Sequence, residues 1–165
     1  MVPFLERVVS QENLEWAWKR AKKCYEWGDV WYDELEVTNF EIKLSDNLEA
    51  IGDGLKNLSY KMSPIRLVPQ PKKLTSEVPY RQFFSVPVKD QVAWIAVVNI
   101  LGPVLDSQMP HWTYGNRLYR SVWYEEDDHG KERLRIGSYR SYSGHLYSTF
   151  HQSWPRYRLN IYFTY

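Results

Sequence analysis

The apolar residues between positions 33 and 58 recur at steps of three and four, and this periodicity stops at Tyr60. Spacing of this kind forms one stripe along a helix, so it predicts a long helix whose stripe faces the core. After Tyr60, the prolines Pro64, Pro69 and Pro71 exclude a helix interior and favour extended backbone. A helical part followed by a part with strands predicts an α+β fold. The helical stripe consists of Val37, Phe40, Leu44, Leu48, Ile51, Leu55 and Leu58.

Local signals define the other elements of the N-terminal part. A first helix is expected to open at Ser10, which is a good N-cap residue, and to end at Gly28-Asp29. The extended segment at 60–69 and the returning strand at 81–86 predict a β-hairpin with a basic tip. Two helices followed by a basic hairpin are therefore expected before residue 88.

The rest of the chain is expected to contain two more helices and a second hairpin. Val88-Lys89-Asp90 opens an apolar helix that is predicted to be buried on most sides and to kink or stop at Gly102-Pro103. Two strands within residues 121–138 predict the second hairpin. Ser153-Trp154-Pro155 indicates the start of a C-terminal helix. The predicted α+β fold forms one domain, residues 1–165, with N-terminal helices, basic β-hairpin, buried helix, second β-hairpin and C-terminal helix.

The composition excludes several classes of protein. A chain of 165 residues that is 44% hydrophobic, with a mean hydropathy of −0.55, matches neither a disordered tail nor a membrane protein. Its longest apolar run, Val92 to Ile100, is shorter than the roughly 18 residues that cross a bilayer, and residues 1–7 lack the regions of a secretory signal. The single cysteine, Cys24, excludes an internal disulfide and a zinc site built on paired cysteines. We therefore expect a cytoplasmic protein without a membrane partner.

Charge and aromatic residues indicate what the chain could bind. Residues 1–59 hold 7 Lys and Arg against 12 Asp and Glu, a net charge of −5, whereas residues 60–124 hold 8 against 3, a net charge of +5. This asymmetry favours a polyanionic partner for the later part, although solvated faces of different sign explain the same counts. The 8 Trp and 13 Tyr favour half-buried or interface positions.

The common catalytic and metal-binding motifs are absent from the sequence. The four histidines show no metal-ligand spacing, Cys24 is expected to be inert in its helix, and there is no Gly-x-Ser-x-Gly, Gly-x-Gly-x-x-Gly or P-loop motif. The acidic run from Glu125 to Asp128 would need carboxylates from separate elements to hold Mg²⁺. A solvated hairpin tip is therefore the favoured interpretation of that run.

Basic side chains concentrate in two segments. Lys72, Lys73 and Arg81 place three cations on the hairpin loop and its returning strand, where they can pair with phosphate oxygens. Arg117 and Arg120 lie among aromatic residues, and basic charge interleaved with stacking faces suits nucleic-acid binding. The interleaved aromatic residues are Trp112, Tyr114 and Tyr119.

Several short motifs follow one another in a fixed order between residues 33 and 120. They are Leu58-Ser59-Tyr60, Pro64-x-Arg66, Pro69-x-Pro71-Lys72-Lys73, Arg81 before Val86-Pro87, Lys89-Asp90-Gln91-Val92, Leu101-Gly102-Pro103-Val104-Leu105 and Tyr114-Gly115-Asn116-Arg117. Their order and spacing resemble the N-terminal fingers portion of bacterial reverse transcriptases, those of retrons, group II introns and the unclassified defence-associated groups. The resemblance implies part of an RNA-directed DNA polymerase, a nucleotidyltransferase, with antiviral defence as a suggested role.

The resemblance implies nucleotide-binding roles in the hairpin. In the family's fingers hairpin, a lysine and an arginine on the returning strand hold the triphosphate of the incoming nucleotide. Lys72 or Lys73, together with Arg81, would take these roles here. Their charge would neutralise the phosphates and stabilise the charge that develops on the leaving pyrophosphate.

The resemblance also implies nucleic-acid contacts. Lys89 belongs to a segment that resembles the turn into a helix beneath the template path. Tyr114-Gly115-Asn116-Arg117 resembles a Tyr-Gly-Phe-Arg segment, in which Gly115 would let the backbone approach the nucleic acid and Arg117 would lie near the template. Asn116 replaces the family's aromatic residue, which leaves no stacking face there. Arg120 is also expected to contact nucleic acid, together with Lys89, Tyr114, Gly115 and Arg117.

The catalytic residues of the family are expected to lie outside this chain. Such polymerases bind two Mg²⁺ ions through a palm aspartate and a later aromatic-x-Asp-Asp turn. The segment from Tyr124 to Asp128 is similar, but it has one residue too many and precedes any palm strand. The chain is therefore expected to be an inactive fragment without a cofactor of its own, and Mg²⁺ is expected for the complete enzyme. Its expected partners are an RNA or DNA template-primer, a dNTP, and the palm and thumb of the polymerase.

Two other functions account for the same features. A stand-alone RNA- or DNA-binding module without catalysis shares the basic and aromatic surface, and it predicts binding that depends on salt. A protein-interaction domain would instead use exposed Trp and Tyr against a protein partner.

Overall fold

The computed structural model of the chain describes residues 4–26, 32–71, 80–110, 112–115, 117–126, 132–139, 145–148 and 150–164. The described residues form six helices and antiparallel strand pairs, so the fold is α+β. The elements in chain order are α1 (Phe4–Val8), α2 (Gln11–Glu26), α3 (Glu34–Ile42), α4 (Leu44–Lys56), β1 (Arg66–Pro71), β2 (Tyr80–Ser85), α5 (Val88–Gln108), β3 (Arg120–Glu126), β4 (Glu132–Tyr139) and α6 (Phe150–Thr164).

The chain forms two compact units, Met1–Val97 and Val98–Tyr165, and the boundary between them falls within α5. In the first unit, the core consists of apolar side chains from α1, α2, α4 and the beginning of α5. The side-chain amide of Asn13 is buried there and donates to the carbonyls of Val8 at 2.8 Å and Ala96 at 2.9 Å. The buried apolar residues of this core include Val8, Leu14, Ala17, Trp18, Ala21, Leu48, Ile51, Val88 and Val92.

The single long helix predicted from residue 33 is wrong, because the chain leaves helical geometry at Lys43 and forms α3 and α4 instead. Asp33 caps α3 through hydrogen bonds from the backbone N–H groups of Leu35 and Glu36. Near the end of α3, the Asn47 side chain donates a hydrogen bond to the carbonyl of Phe40 at 3.0 Å. A side chain that bonds to the backbone competes with the helical ladder, and the apolar periodicity does not report it.

The end of α4 has a left-handed residue where glycine is usual. The N–H of Ser59 donates to the carbonyl of Gly54 at 2.9 Å, and the N–H of Leu58 donates to Leu55 at 3.2 Å. This pair of bonds is the Schellman motif, which requires a residue of positive φ. Leu58 takes that position with a φ of 54° and is 86% exposed. The expectation that Leu58 belongs to the core stripe is therefore wrong.

Gly102-Pro103 was predicted to kink or stop α5, and the stop is wrong because the helix continues through these residues to Gln108. A proline inside a helix removes one backbone hydrogen bond, and α5 keeps helical geometry on both sides of Pro103. The prediction that this helix is buried on most sides is confirmed only for its first half, because Leu101, Val104 and Leu105 in the second half are exposed.

By length and composition alone, α5 is the one helix in the described part of the chain that could cross a membrane. Its most apolar 18-residue window has a mean hydropathy of 1.3, and 39% of that window is buried inside the molecule. The sequence prediction rested on uninterrupted apolar runs. The mean hydropathy of the helix stays high even though polar residues interrupt those runs. The core helix of a soluble protein meets the same criterion.

The strands form two antiparallel pairs. In the first unit, β1 pairs with β2 from Arg66 opposite Ser85 to Pro71 opposite Tyr80. In the second unit, β3 pairs with β4, with a register shift between Arg120 and Val122. The acidic run is predicted at the tip between these strands, and its Asp127 and Asp128 lie outside the described residues.

The C-terminal helix α6 begins at Phe150, which is earlier than the predicted start at Ser153-Trp154-Pro155. Pro155 therefore lies inside the helix instead of in its first turn. Because this proline sits only five residues after Phe150, it removes a hydrogen bond near the beginning of α6 and leaves the rest of the ladder intact.

Candidate nucleic-acid interface

A buried carboxylate holds the segment that leads into the β1–β2 pair. Asp90 lies in the first turn of α5 and is 1% exposed. Its two carboxylate oxygens accept hydrogen bonds from the Tyr60 hydroxyl at 2.7 Å and from the Ser63 N–H at 2.8 Å. Burial and the neighbouring Asp90 carboxylate together raise the pKa of the Tyr60 hydroxyl above its ordinary value. These bonds fix the chain three residues before β1 begins at Arg66.

A second carboxylate supports the same end of α5. Glu36 of α3 accepts a hydrogen bond from the N–H of Val88 at 2.8 Å. The first N–H groups of a helix have no partner within the helix, and negative charge near them is favourable. Glu36 and Asp90 therefore stabilise the beginning of α5 immediately after β2.

Strand alternation places two arginines on one face of the β1–β2 pair. Arg66 and Arg81 both belong to the set of residues that alternate with Leu67 and Phe84, so their side chains leave the sheet on the same side. Both arginines are exposed, and within the described residues neither has an ion-pair partner. Arg66 was not assigned a role from sequence. The signal that could have found it is the even spacing of Arg66 from Gln70, the residue that lies opposite Arg81.

The opposite face of the pair is apolar and exposed. Leu67 lies opposite Phe84, and Pro71 lies opposite Tyr80. Tyr80 is 55% exposed and Phe84 is 62% exposed. The pair thus presents a basic face and an aromatic face to solvent.

Of the other predicted binding residues in the first unit, the structure describes only Lys89. Lys72 and Lys73 lie outside the described residues, between the ends of β1 and β2. Lys89 is exposed in the first turn of α5, next to the buried Asp90. The structure therefore places Arg81 on the same face as Arg66, four positions further along the pair, and it leaves the positions of Lys72 and Lys73 as predictions.

In the second unit, Arg117 is bound to Asp106 of α5. Its Nε donates to Oδ1 of Asp106 at 2.8 Å, and its Nη2 donates to Oδ2 at 3.2 Å and to the backbone carbonyl at 2.9 Å. Its Nη1 donates to the carbonyls of Pro110 at 3.2 Å and Thr113 at 3.5 Å. All three guanidinium nitrogens of Arg117 thus have internal partners. Its predicted contact with nucleic acid stays a prediction, and the geometry gives it a structural role.

Asp106 was not singled out from sequence, although it is central to this arrangement. Its side chain is 4% exposed, and Oδ1 also accepts a hydrogen bond from the N–H of Leu118 at 3.1 Å. The sequence feature that could have identified Asp106 is a lone acidic residue near the end of an apolar helix, eleven residues before Arg117.

Tyr114 packs against α6. Its ring meets the ring of Tyr157 edge to face, with centroids 5.7 Å apart, and its hydroxyl accepts a hydrogen bond from the Asn160 side chain. The Tyr157 ring is in turn 5.4 Å from that of Trp154. The three aromatic rings form a cluster that is partly exposed, in an environment where stacking on bases is chemically feasible.

Gly115 is exposed, and a Cβ added there would meet no atom within 4 Å. The fold itself therefore has room for a side chain at this position. Arg120 begins β3 opposite Tyr139, and its side chain lies outside the described residues.

No protein-family model matches this chain, and no curated protein matches it significantly.

Proposed function

We propose that this chain is the fingers part of a bacterial RNA-directed DNA polymerase and that its β1–β2 pair binds the triphosphate of an incoming nucleotide. The observation that supports this proposal best is the exposed pair Arg66 and Arg81 on one face of the two strands. The loop between the strands adds Lys72 and Lys73 to the same short segment. A triphosphate is held by several cations, and the segment from Arg66 to Arg81 contains four of them.

The chemistry follows from the geometry of the guanidinium group. Arg81 can donate two parallel hydrogen bonds to phosphate oxygens, and lysines of the loop can add point charges. Cations in these positions stabilise the charge that builds up on the leaving pyrophosphate. Asp90 supports this role indirectly, because its bonds to Tyr60 and Ser63 hold the base of β1.

The metal ions of such a polymerase are not assigned to this part of the molecule. In a complete enzyme, Mg²⁺ would activate the primer hydroxyl and neutralise phosphate charge. In the described residues, no group of three or more His, Cys, Asp or Glu side chains converges to hold a metal ion.

Nucleotide binding by the chain tests the proposal directly. Fluorescence anisotropy with a labelled dNTP should show that Arg81→Ala weakens binding by about 10- to 150-fold, the effect of losing a charged hydrogen bond worth about 1.5–3 kcal/mol. Arg7→Ala removes the same charge from the exposed surface of α1 and serves as the matched control. Equal affinities for the Arg81 and Arg7 variants would contradict the hairpin assignment.

A stand-alone nucleic-acid-binding module is the second candidate, and α6 favours it. Trp154 and Tyr157 are exposed on this helix, and Arg158 is exposed between them and the C-terminus. Exposed aromatic rings interleaved with arginine suit single-stranded nucleic acid. This function predicts that a labelled single-stranded oligonucleotide binds with a steep salt dependence, and that Trp154→Ala weakens it while dNTP binding is absent.

A further inference from the structure

The prolines of β1 determine which backbone groups of the β1–β2 pair point outward. In an antiparallel pair, opposite residues alternate between exchanging two N–H···O bonds and exchanging none. Pro69 lies opposite Gln82 and Pro71 lies opposite Tyr80, and a proline nitrogen cannot donate. These two pairs are therefore of the non-bonded kind. The backbone N–H and C=O groups of Tyr80, Gln82 and Phe84 consequently point away from β1.

The two outer edges of the pair differ as a result. On the β1 side, Pro69 and Pro71 remove two outward N–H groups, which is a common way to prevent edge-to-edge pairing. On the β2 side, Tyr80, Gln82 and Phe84 all keep their donors and acceptors. In the described part of the chain, no third strand pairs with β2. As far as the structure describes the chain, the β2 edge is therefore open to another strand, and the β1 edge is largely closed.

We propose that a second copy of this chain pairs antiparallel with the β2 edge, which forms a symmetric dimer with a four-stranded sheet. The register that fits best places Gln82 opposite the partner's Gln82. Tyr80 then lies opposite the partner's Phe84, and Arg81 lies opposite the partner's Phe83. All the outward groups of Tyr80, Gln82 and Phe84 are used, which gives about six backbone hydrogen bonds.

Neighbouring registers are less favourable. Centring the pair on Arg81 would place two like charges directly opposite each other, which is destabilising. Centring it on Phe83 would place Tyr80 opposite the partner's Val86, which lies beyond the end of β2. The register centred on Gln82 instead pairs aromatic residues on one face and an arginine with an aromatic ring on the other.

A second copy fits this edge because β2 is self-complementary in sequence. Tyr80 and Phe84 are both more than half exposed and lie two residues on either side of Gln82. In a two-fold symmetric interface, a residue i that meets residue j of the partner is matched by residue j meeting residue i, so Tyr80 and Phe84 must suit each other. Two isolated strands are also only marginally stable, and a four-stranded sheet stabilises them. The proposal does not rest on the proposed nucleotide site.

Site-specific cross-linking tests the register. In a Cys24→Ser background, Gln82→Cys places two thiols opposite each other, with Cα atoms about 5.5 Å apart, within the range of a disulfide. Mild oxidation of the full chain should yield a covalent dimer of twice 19.8 kDa on a non-reducing gel. Arg81→Cys in the same background is the matched control, because its counterpart is the partner's Phe83, and its yield should be at least about tenfold lower. Equal yields for the two variants, or no dimer with Gln82→Cys, would overturn the register.

Sedimentation equilibrium tests the edge itself without nucleotide present. Gln82→Pro removes an outward N–H that β1 does not use, so the β1–β2 pair remains while two intermolecular bonds are lost. The dimer dissociation constant should rise by at least about tenfold relative to Gln82→Thr, which keeps the N–H. A wild-type chain that stays at 19.8 kDa up to about 1 mM, or a dimer unchanged by Gln82→Pro, would refute the proposal.

Discussion

The carboxylate of Asp106 accepts hydrogen bonds from both Nε and Nη2 of Arg117, at 2.8 Å and 3.2 Å, while its side chain is only 4% exposed. Bidentate pairing of this kind is geometrically specific, and removal of one partner leaves a buried charge uncompensated. The residue that the family resemblance assigns to nucleic acid is thus also the one that holds the end of α5 to the following segment.

Arg117→Ala should therefore lower the free energy of unfolding by about 3 kcal/mol, because Asp106 would stay buried without its partner. Arg117→Lys should restore less than half of this loss, since an ammonium group cannot donate in the same fork. Urea denaturation followed by tryptophan fluorescence measures both. Arg81→Ala is the control, because this exposed side chain should change stability by less than about 0.5 kcal/mol. Similar stabilities for Arg117→Ala and Arg81→Ala would contradict the structural role of the pair.

Leu58→Gly should stabilise the protein. Leu58 has a φ of 54° and is exposed, so it carries the steric cost of the left-handed conformation without gaining burial. Glycine at this position should raise the free energy of unfolding by about 0.5–1 kcal/mol, which thermal denaturation can detect. Leu58→Val, which is branched at Cβ, should lower stability instead. A glycine variant that is less stable than the wild type would show that the Leu58 side chain makes contacts that outweigh the strain.

The free energy of unfolding should fall at alkaline pH, partly because the Tyr60 hydroxyl loses its proton. Burial and the Asp90 carboxylate raise the pKa of its hydroxyl above the ordinary value near 10, so the folded state holds this proton more tightly than the unfolded state. The stabilisation is complete below pH 10 and is lost as the pH rises from about 10 towards the folded-state pKa. Burial and the nearby Glu36 raise the pKa of Tyr25 as well, so both residues contribute to the slope.

Tyr60→Phe isolates the contribution of Tyr60. The variant should be less stable by about 1.5 kcal/mol at pH 7, because Asp90 loses one hydrogen bond. Between pH 10 and 11.5 its free energy of unfolding should decline less steeply than that of the wild type. Identical slopes in a urea titration at several pH values would show that Tyr60 does not hold its proton more tightly in the folded state.

Gly115→Ala separates a role in binding from a role in folding. An added Cβ meets no atom within 4 Å, so the stability should change by less than about 0.5 kcal/mol. If the backbone at Gly115 lies against nucleic acid, the affinity for a labelled template-primer should still fall, by about tenfold. Gly102→Ala is the contrasting variant, because its Cβ would lie 2.9 Å from Leu118 Cδ1 and should destabilise the fold. Unchanged affinity in Gly115→Ala would remove Gly115 from the interface.

Local chemistry in the sequence was sufficient to predict the α+β class and several elements. The N-cap signal at Ser10 and the turn residues at Gly28-Asp29 closely bracket α2, which runs from Gln11 to Glu26. The prolines between 64 and 71 correctly indicated extended backbone, which the structure shows as β1. These predictions depend on the backbone preferences of neighbouring residues, and the sequence records such preferences directly.

Only the tertiary structure decided where elements stop and which charged groups are already used. The break at Lys43 accompanies a side-chain bond from Asn47, and α5 runs past Pro103 into a turn where Asp106 is held by Arg117. The shared face of Arg66 and Arg81 likewise depends on a register that joins residues fifteen positions apart. Side-chain bonds to the backbone, ion pairs and strand register leave no periodic trace along the chain. For this protein, the sequence determined the kinds of local structure, and contacts between distant residues determined their limits and the groups that remain accessible to a ligand.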